Sequence, residues 1–260
     1  MNPLRRLSTI TLLLAAAALL PHPARAQDDK AKATSATKLT VRAFLNDPTR
    51  PDATLFAADP DAPGRLIPLV LAPGELPAGQ TVAVIDGKLS LHNNAKPDAA
   101  HPEATLIATA TVPANLKQAI AIIQPRGDAK KPAPPCAIVF IDDTLAAFPP
   151  GESRAVSFTT LPIAIQAGEH KLPIVPGKIT NIPAVTKVDP YNMAQTNFLY
   201  KASPTAAASD PWIPFSEAKM KYLRDYRQLF LCTLKPGAKA PTLVTLVDDT
   251  PKPAEPKSTP

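Results

Sequence analysis

Aromatic and cationic side chains concentrate in one part of this chain. Its aromatic residues are 8 Phe, 4 Tyr and 1 Trp, and the only Trp and every Tyr fall between positions 191 and 230. Exposed rings beside lysines and arginines can stack on sugars or bind anionic polymers. The alternative is that the rings form the core and lid of a domain. If the chain binds a ligand, we expect the contacts to come from Trp212, Tyr222, Tyr226, Arg224 and Arg227.

One serine lies in a segment that resembles a hydrolase motif. Gly151-Glu152-Ser153-Arg154-Ala155 approximates G-x-S-x-G but ends in alanine. A nucleophile elbow needs a strand before the serine and a helix after it. Here two prolines precede the segment and a β-like run follows, which favours an interstrand turn. We therefore expect no catalytic residue, and a hydrolase centred on Ser153 is the remaining enzyme alternative.

Signals for metals and cofactors are weak. His92, His101 and His170 have no ligand-like spacing, and the acidic pairs Asp142-Asp143 and Asp248-Asp249 close apolar runs as turn carboxylates do. No segment has the ligand pattern of an EF-hand or the glycine-rich pattern of a phosphate loop. The sequence predicts neither a metal site nor a cofactor.

The chain has two cysteines, Cys136 and Cys232, each in an apolar, strand-like run. In an oxidising compartment they could form a disulfide that closes a long loop. The alternative is a pair of buried free thiols that pack as small apolar groups. Both interpretations stay open at this point.

Residues 1–26 have the three parts of a signal peptide. Arg5 and Arg6 precede an apolar run from Ile10 to Leu20, and Ala24-Arg25-Ala26 forms a small-x-small cleavage pattern. The run is shorter than the roughly 20 residues that a membrane-spanning helix needs. We expect an exported protein, periplasmic or extracellular, with no transmembrane segment in the mature chain.

The net charge of the mature chain argues against nucleic-acid binding. The full chain carries a formal charge of +6, and the signal segment contributes three arginines and no acid, which leaves +3. Nucleic-acid binders need a dense cationic face to displace counterions. We therefore expect no nucleic-acid partner.

Composition predicts an all-β protein. The chain has 33 Pro against 9 Gly, and so many prolines disfavour long helices but suit short strands with punctuated ends. Asp86-Gly87, between two β-like runs, is the strongest hairpin signal. About 14 short strands suit two tandem immunoglobulin-like or fibronectin-like β-sandwiches. One large β-sandwich is the alternative.

The expected organisation has five parts. After the signal peptide at 1–26, we expect a disordered lead-in at 27–38, because that segment lacks apolar periodicity. The first sandwich covers 39–146 and the second 147–248, followed by a disordered, proline- and lysine-rich tail at 249–260. One segment departs from the β pattern: Ser216–Arg227 lacks Pro and Gly and opens with a possible cap, which predicts a short helix.

The stretch from Phe148 to Lys178 resembles a pattern of exported bacterial β-sandwich proteins of unknown function. An aromatic-Pro-Gly turn leads into a strand, then into a short apolar hairpin, then into a Pro-Gly turn. The resemblance implies a β-sandwich in an envelope setting and carries no site residues.

Together these observations predict an exported, non-catalytic binding or structural module of the cell envelope. Its partner would be an envelope glycan or another envelope component. An assembly or chaperone-like module is the main alternative, in which an exposed sheet edge pairs with a strand of a partner protein.

Overall fold

The computed structural model describes residues 35–47, 49–50, 53–97, 101–126 and 134–249. Within these ranges the structure is nearly all β, with no α-helix and one short 3-10 turn at Pro102–Thr105. The predicted all-β class is confirmed. The predicted signal peptide lies outside the described residues, as do residues 27–34 of the lead-in and residues 250–260 of the tail.

The first eight strands form one sheet. They are β1 (Ala36–Leu45), β2 (Leu55–Ala58), β3 (Leu66–Leu69), β4 (Gln80–Ile85), β5 (Lys88–His92), β6 (Leu106–Thr111), β7 (Gln118–Pro125) and β8 (Cys136–Asp142). Strand β1 begins within the predicted lead-in.

This sheet closes on itself. Its order is β3-β2-β5-β4-β1-β7-β8-β6, and β5 also pairs with β6, which completes a six-stranded barrel with β2 and β3 attached to β5. The first half is therefore not the immunoglobulin-like sandwich that we predicted. The physical reason lies in the small inward side chains: Ala43, Ala108 and Ala121 are almost fully buried, so the interior is narrow enough for six strands to enclose.

The second half contains eight further strands. They are β9 (Ser153–Ser157), β10 (Ile163–Ala167), β11 (His170–Ile174), β12 (Ile179–Ile182), β13 (Met193–Tyr200), β14 (Ile213–Lys221), β15 (Tyr226–Thr233) and β16 (Thr242–Asp249). They form two four-stranded sheets, β11-β10-β13-β14 and β12-β9-β15-β16. A shared hydrophobic cluster that includes Phe198 and Phe230 lies between these sheets, so this half is a β-sandwich.

Barrel and sandwich are joined by a third hydrophobic cluster. Ile120 and Ile122 point outward from β7 and pack in one buried group with Phe148, Leu229 and Leu231. Strand β7 is thus apolar on both faces, which explains its unbroken apolar run. The boundary predicted at 146/147 falls in the connection between β8 and β9, and the division into two domains stays a prediction.

The predicted helix at 216–227 is wrong. Strand β14 continues to Lys221, a four-residue connection follows, and Tyr226 begins β15. Pairing with β13 is extensive, with Thr196 opposite Ala218 and Ala194 opposite Met220. Long-range strand pairing therefore overrides the local helical preference of this segment.

Among the helices in the described part of the chain, none has the length and apolar character needed to cross a membrane.

Candidate functional site

The five predicted ligand-contacting residues do not form one surface. Trp212 immediately precedes β14 and Tyr222 immediately follows it. About ten residues separate them, which is about 33 Å along an extended strand. Trp212 therefore lies at one end of the sandwich, and Tyr222, Arg224 and Tyr226 lie at the other.

Tyr222 is part of the sandwich core. Only 7% of its surface is exposed, and its hydroxyl lies 2.8 Å from the Thr196 hydroxyl, which is fully buried. Burial raises the pKa of the phenol, and the hydrogen bond between the two hydroxyls only partly offsets this effect. Tyr222 therefore cannot meet an external ligand in this structure.

Arg227 is likewise unavailable. It is 2% exposed, and its Nε donates to Asp248 Oδ2 at 2.8 Å. One of its amino groups donates to Asp143 Oδ1 at 2.8 Å and the other to the Phe148 carbonyl at 3.1 Å. Its guanidinium also lies over the Phe148 ring, 4.7 Å from the centroid. These contacts make Arg227 a structural residue where barrel and sandwich meet.

Trp212 is 43% exposed. Lys201, itself buried, holds its ammonium group 5.2 Å from the centroid of the Trp212 ring. The same ammonium group donates to the carbonyls of Ala207 and Ala208 at 2.5 and 3.0 Å. The cation beside Trp212 thus anchors the loop before β14.

Tyr226 lines a groove on one side of the sandwich. Arg224 is exposed in the connection between β14 and β15 and is not one of the lining residues. The groove has a volume of about 360 Å³. Asp249, opposite Tyr226 on β16, raises the pKa of Tyr226 through its negative charge. Six residues line the groove: Met220, Lys221, Tyr226, Gln228, Thr245 and Val247.

The groove exists because two edge strands leave the sandwich open. In the described structure β14 pairs with β13 alone and β16 pairs with β15 alone. Leu243, which packs against the sandwich core, shares a face of β16 with Thr245 and Val247. Thr245 is nevertheless exposed and Val247 is 51% exposed. The opposite sheet therefore does not cover the whole inward face of β16, and Thr245 and Val247 remain exposed.

Gln228 forms part of the floor of this groove. It is 6% exposed, and its amide nitrogen donates to the Lys221 carbonyl at 2.5 Å. Since a carbonyl only accepts, this bond fixes the orientation of the amide. Among the described residues, Gln228 Oε1 is the buried side-chain oxygen that lacks a hydrogen-bond partner, which costs about 1–3 kcal/mol.

Two lysines lie on β14 at this side of the sandwich, and one of them, Lys221, lines the groove. Lys219 and Lys221 are exposed and lie two residues apart, so they share the outer face of the strand. Lys219 reaches Asp189 at 3.4 Å, with 66% of its side chain exposed. The β14 side of the groove therefore carries two cations, whereas Glu217 on the same strand and Asp249 beside Tyr226 are negatively charged.

Ser153 is placed unlike a nucleophile. It is 2% exposed and begins β9, where it lies opposite Ile182 and Gln228 on the neighbouring strands. Gly151 takes the turn before it, at φ +85°. In the described ranges, no group of three or more His, Cys, Asp or Glu residues could hold a metal ion.

The two cysteines lie in different hydrophobic clusters. Cys136 belongs to the barrel core and Cys232 to the sandwich core, and both are free and fully buried. A guanidinium nitrogen of Arg50 lies 3.4 Å from Cys136 Sγ. The disulfide that we considered is not formed in this structure.

Comparisons with known proteins found little similarity to this chain. No protein-family model matches the chain, and no curated protein does. A solved structure of a "putative cell adhesion protein" from Bacteroides uniformis aligns over 82% of this chain and 98% of its own, at 9% identity and a TM-score of 0.17. A likeness this low supports no inference about the present chain.

Proposed function

We propose that this chain is an exported, non-catalytic binding module that takes up an extended segment of a partner protein on the open side of its sandwich. Export rests on the signal pattern of residues 1–26. The binding role rests on the groove between β14 and β16.

One observation carries the proposal: an unpaired strand edge lies next to an uncovered apolar face. The free edge of β14 offers unpaired backbone N–H and C=O groups, which is the template for strand addition. The half-exposed Val247 lies on the facing sheet, where an added strand would cover it. An extended polypeptide would both pair with the strand edge and cover the apolar face.

The same geometry favours a protein partner over a glycan. A sugar-binding platform needs aromatic rings that meet one ligand together. Tyr222 and Arg227 are committed to the core, and Trp212 lies at the far end of β14 from Tyr226. The groove is lined by one tyrosine together with two aliphatic side chains, one lysine and the polar Gln228 and Thr245, which suits a peptide better than a sugar.

The non-catalytic part of the proposal is supported by the position of Ser153. A nucleophile must reach its substrate, and Ser153 is buried within a strand that is paired on both sides. A hydrolase centred on this residue would need the sandwich to open.

Site-specific cross-linking in the producing cell tests the proposal. Benzoylphenylalanine is placed at Val247, and in a matched control at Val175, which is 43% exposed at the β11–β12 turn. We expect a discrete protein adduct from position 247 and none from position 175. Adducts from both positions, or from neither, would contradict the proposal, and a carbohydrate adduct from position 247 would favour the glycan alternative.

A further inference from the structure

We infer that the segment bound in the groove is a strand with aliphatic residues on one face and acidic residues on the other. The inference rests on the function proposed above and specifies the chemistry of the partner. It follows from the alternation of side chains along β14 and β16.

Strand β14 presents different chemistry on its two faces. Met220 packs against the sandwich core, whereas its neighbours Lys219 and Lys221 are exposed. Successive side chains of a strand point to opposite faces, so beyond the bulge opposite Phe198 and Leu199 the even positions of β14 face inward and the lysines face outward. A strand paired with this edge would also have an inward and an outward face, and its side chains on each face would lie beside those of β14.

The inward face of the incoming strand would meet apolar surface. It would lie over Thr245 and Val247, which line the groove together with Met220. Side chains two residues apart on a strand are separated by about 6.6 Å, which matches the spacing of neighbouring inward positions on β16. Aliphatic residues, β-branched ones above all, suit these positions.

The floor of the groove also lacks a hydrogen-bond donor. Gln228 lines the groove together with Met220 and Lys221, and its Oε1 is buried without a hydrogen-bond partner. A donor carried by the incoming strand would satisfy this oxygen after a small shift of those side chains. Binding would thus remove an unfavourable feature of the free protein.

The outward face would meet positive charge. Lys221 has no ion pair among the described residues, and the exposed pair of Lys219 with Asp189 is long at 3.4 Å. Opposite charges on neighbouring strands stabilise pairing, and like charges destabilise it. Glu217 shares this outward face, so acidic residues complement the edge at the positions opposite Lys219 and Lys221.

The other possible occupants fit less well. Two antiparallel copies of β14 centred on Lys219 would place the two Lys219 side chains opposite each other and form Glu217–Lys221 pairs on either side. A second copy therefore gains less from charge than a strand with acidic residues opposite Lys219 and Lys221. The chain's own residues 250–260 contain Pro251, Pro253 and Pro256, which have no N–H to donate to a ladder. The tail also carries lysines, which would meet Lys219 and Lys221.

Fluorescence anisotropy with two labelled peptides tests the inference on the purified mature protein. One seven-residue peptide alternates Val with Glu, and the other alternates Val with Lys. We expect the Val-Glu peptide to bind at least about fivefold more tightly, since each cross-strand charge pair adds a modest increment. Hydrogen exchange should show new protection in β14.

Charge-reversal variants provide the control. The double variant K219E/K221E should reverse the preference between the peptides. K171E/K178E makes the same charge change at exposed positions on the opposite side of the sandwich, and it should leave the preference unchanged. Equal affinity for the two peptides, binding of neither, or protection outside β14 would overturn the inference. If the peptides fail in this way but position 247 still cross-links to a protein in the cell, only the inference about the partner's chemistry is wrong. If position 247 gives no protein adduct either, the proposed function is wrong as well.

Discussion

Arg227 and Asp248 lie directly opposite each other on β15 and β16, with Nε 2.8 Å from Oδ2. The same carboxylate receives the guanidinium of Arg42 from β1, at 2.6 and 2.9 Å. One aspartate thus joins two strands of the sandwich to the barrel. Burial opposes the ionisation of Asp248, but the hydrogen bonds from both arginines outweigh it and keep its pKa below the usual value.

Removing one side chain from this ion-pair network should lower the free energy of unfolding substantially. In Arg227→Met, Asp248 and Asp143 lose one of the two arginines that they share, the other being Arg42. We expect a loss of about 3–5 kcal/mol in the free energy of unfolding. Urea denaturation measures the loss. The control is Arg224→Met, an exposed position three residues earlier, which should change stability by less than about 0.5 kcal/mol. Similar small losses in both variants would show that the network does not stabilise the fold.

Local signals in the sequence predicted local structure, as the β4–β5 hairpin illustrates. Asp86 and Gly87 both adopt positive φ, +48° and +72°, which is the conformation that an Asp-Gly turn favours. A turn of this kind depends on neighbouring residues alone. The helix expected at 216–227 failed because its strand partner, β13, lies outside the segment that local patterns describe.

Closure of the barrel was beyond prediction for a similar reason. Short alternating strands suit a sandwich and a barrel equally well, and the pairing of β5 with β6 completes the ring. The sequence contains the alanines, but it does not show that they lie together in the interior of one barrel.

The candidate site was predicted only in part. The aromatic cluster pointed to the region around Tyr226, which does line the groove. Val247 and Thr245 lie outside that cluster and carry no aromatic signal, and they belong to the site because β16 is an edge strand. The burial of Arg227 depends on Asp143 and Asp248, and sequence spacing does not reveal such a contact.

Tyr222 and Tyr226 should respond differently to loss of the hydroxyl. Tyr222→Phe removes the buried hydrogen bond to Thr196, and we expect a loss of about 1 kcal/mol in unfolding free energy with no change in peptide binding. Tyr226→Phe, at the partly exposed groove, should leave stability within about 0.5 kcal/mol of the wild type. Thermal or urea denaturation distinguishes the two. Equal losses would contradict the assignment of Tyr222 to the core.

Both cysteines should be inert in the folded protein. Burial raises the pKa of Cys232 to about 12 and also raises the pKa of Cys136, so thiolate is scarce and reagents have no access. We expect no N-ethylmaleimide adduct in the native protein at pH 8. In denaturant without reductant, mass spectrometry should show two adducts. A denatured chain that is labelled only after reduction would instead establish a disulfide.

Glu169 should make stability depend on pH in the acid range. Its carboxylate accepts the Thr186 backbone N–H at 2.8 Å, the Thr186 hydroxyl at 2.7 Å and the Lys187 N–H at 3.1 Å. These bonds, the Thr186 backbone N–H first, lower the pKa of Glu169 from 4.5 to about 2. Because the folded-state pKa is the lower one, the stabilisation is complete above pH 4.5 and disappears as the pH falls towards 2. The difference in unfolding free energy between the wild type and Glu169→Gln should therefore be constant at neutral pH and shrink over this range. Thr186→Val, which removes only the hydroxyl donor, should move the NMR titration midpoint of Glu169 part of the way back towards 4.5. A midpoint already near 4.5 in the wild type would refute the assignment.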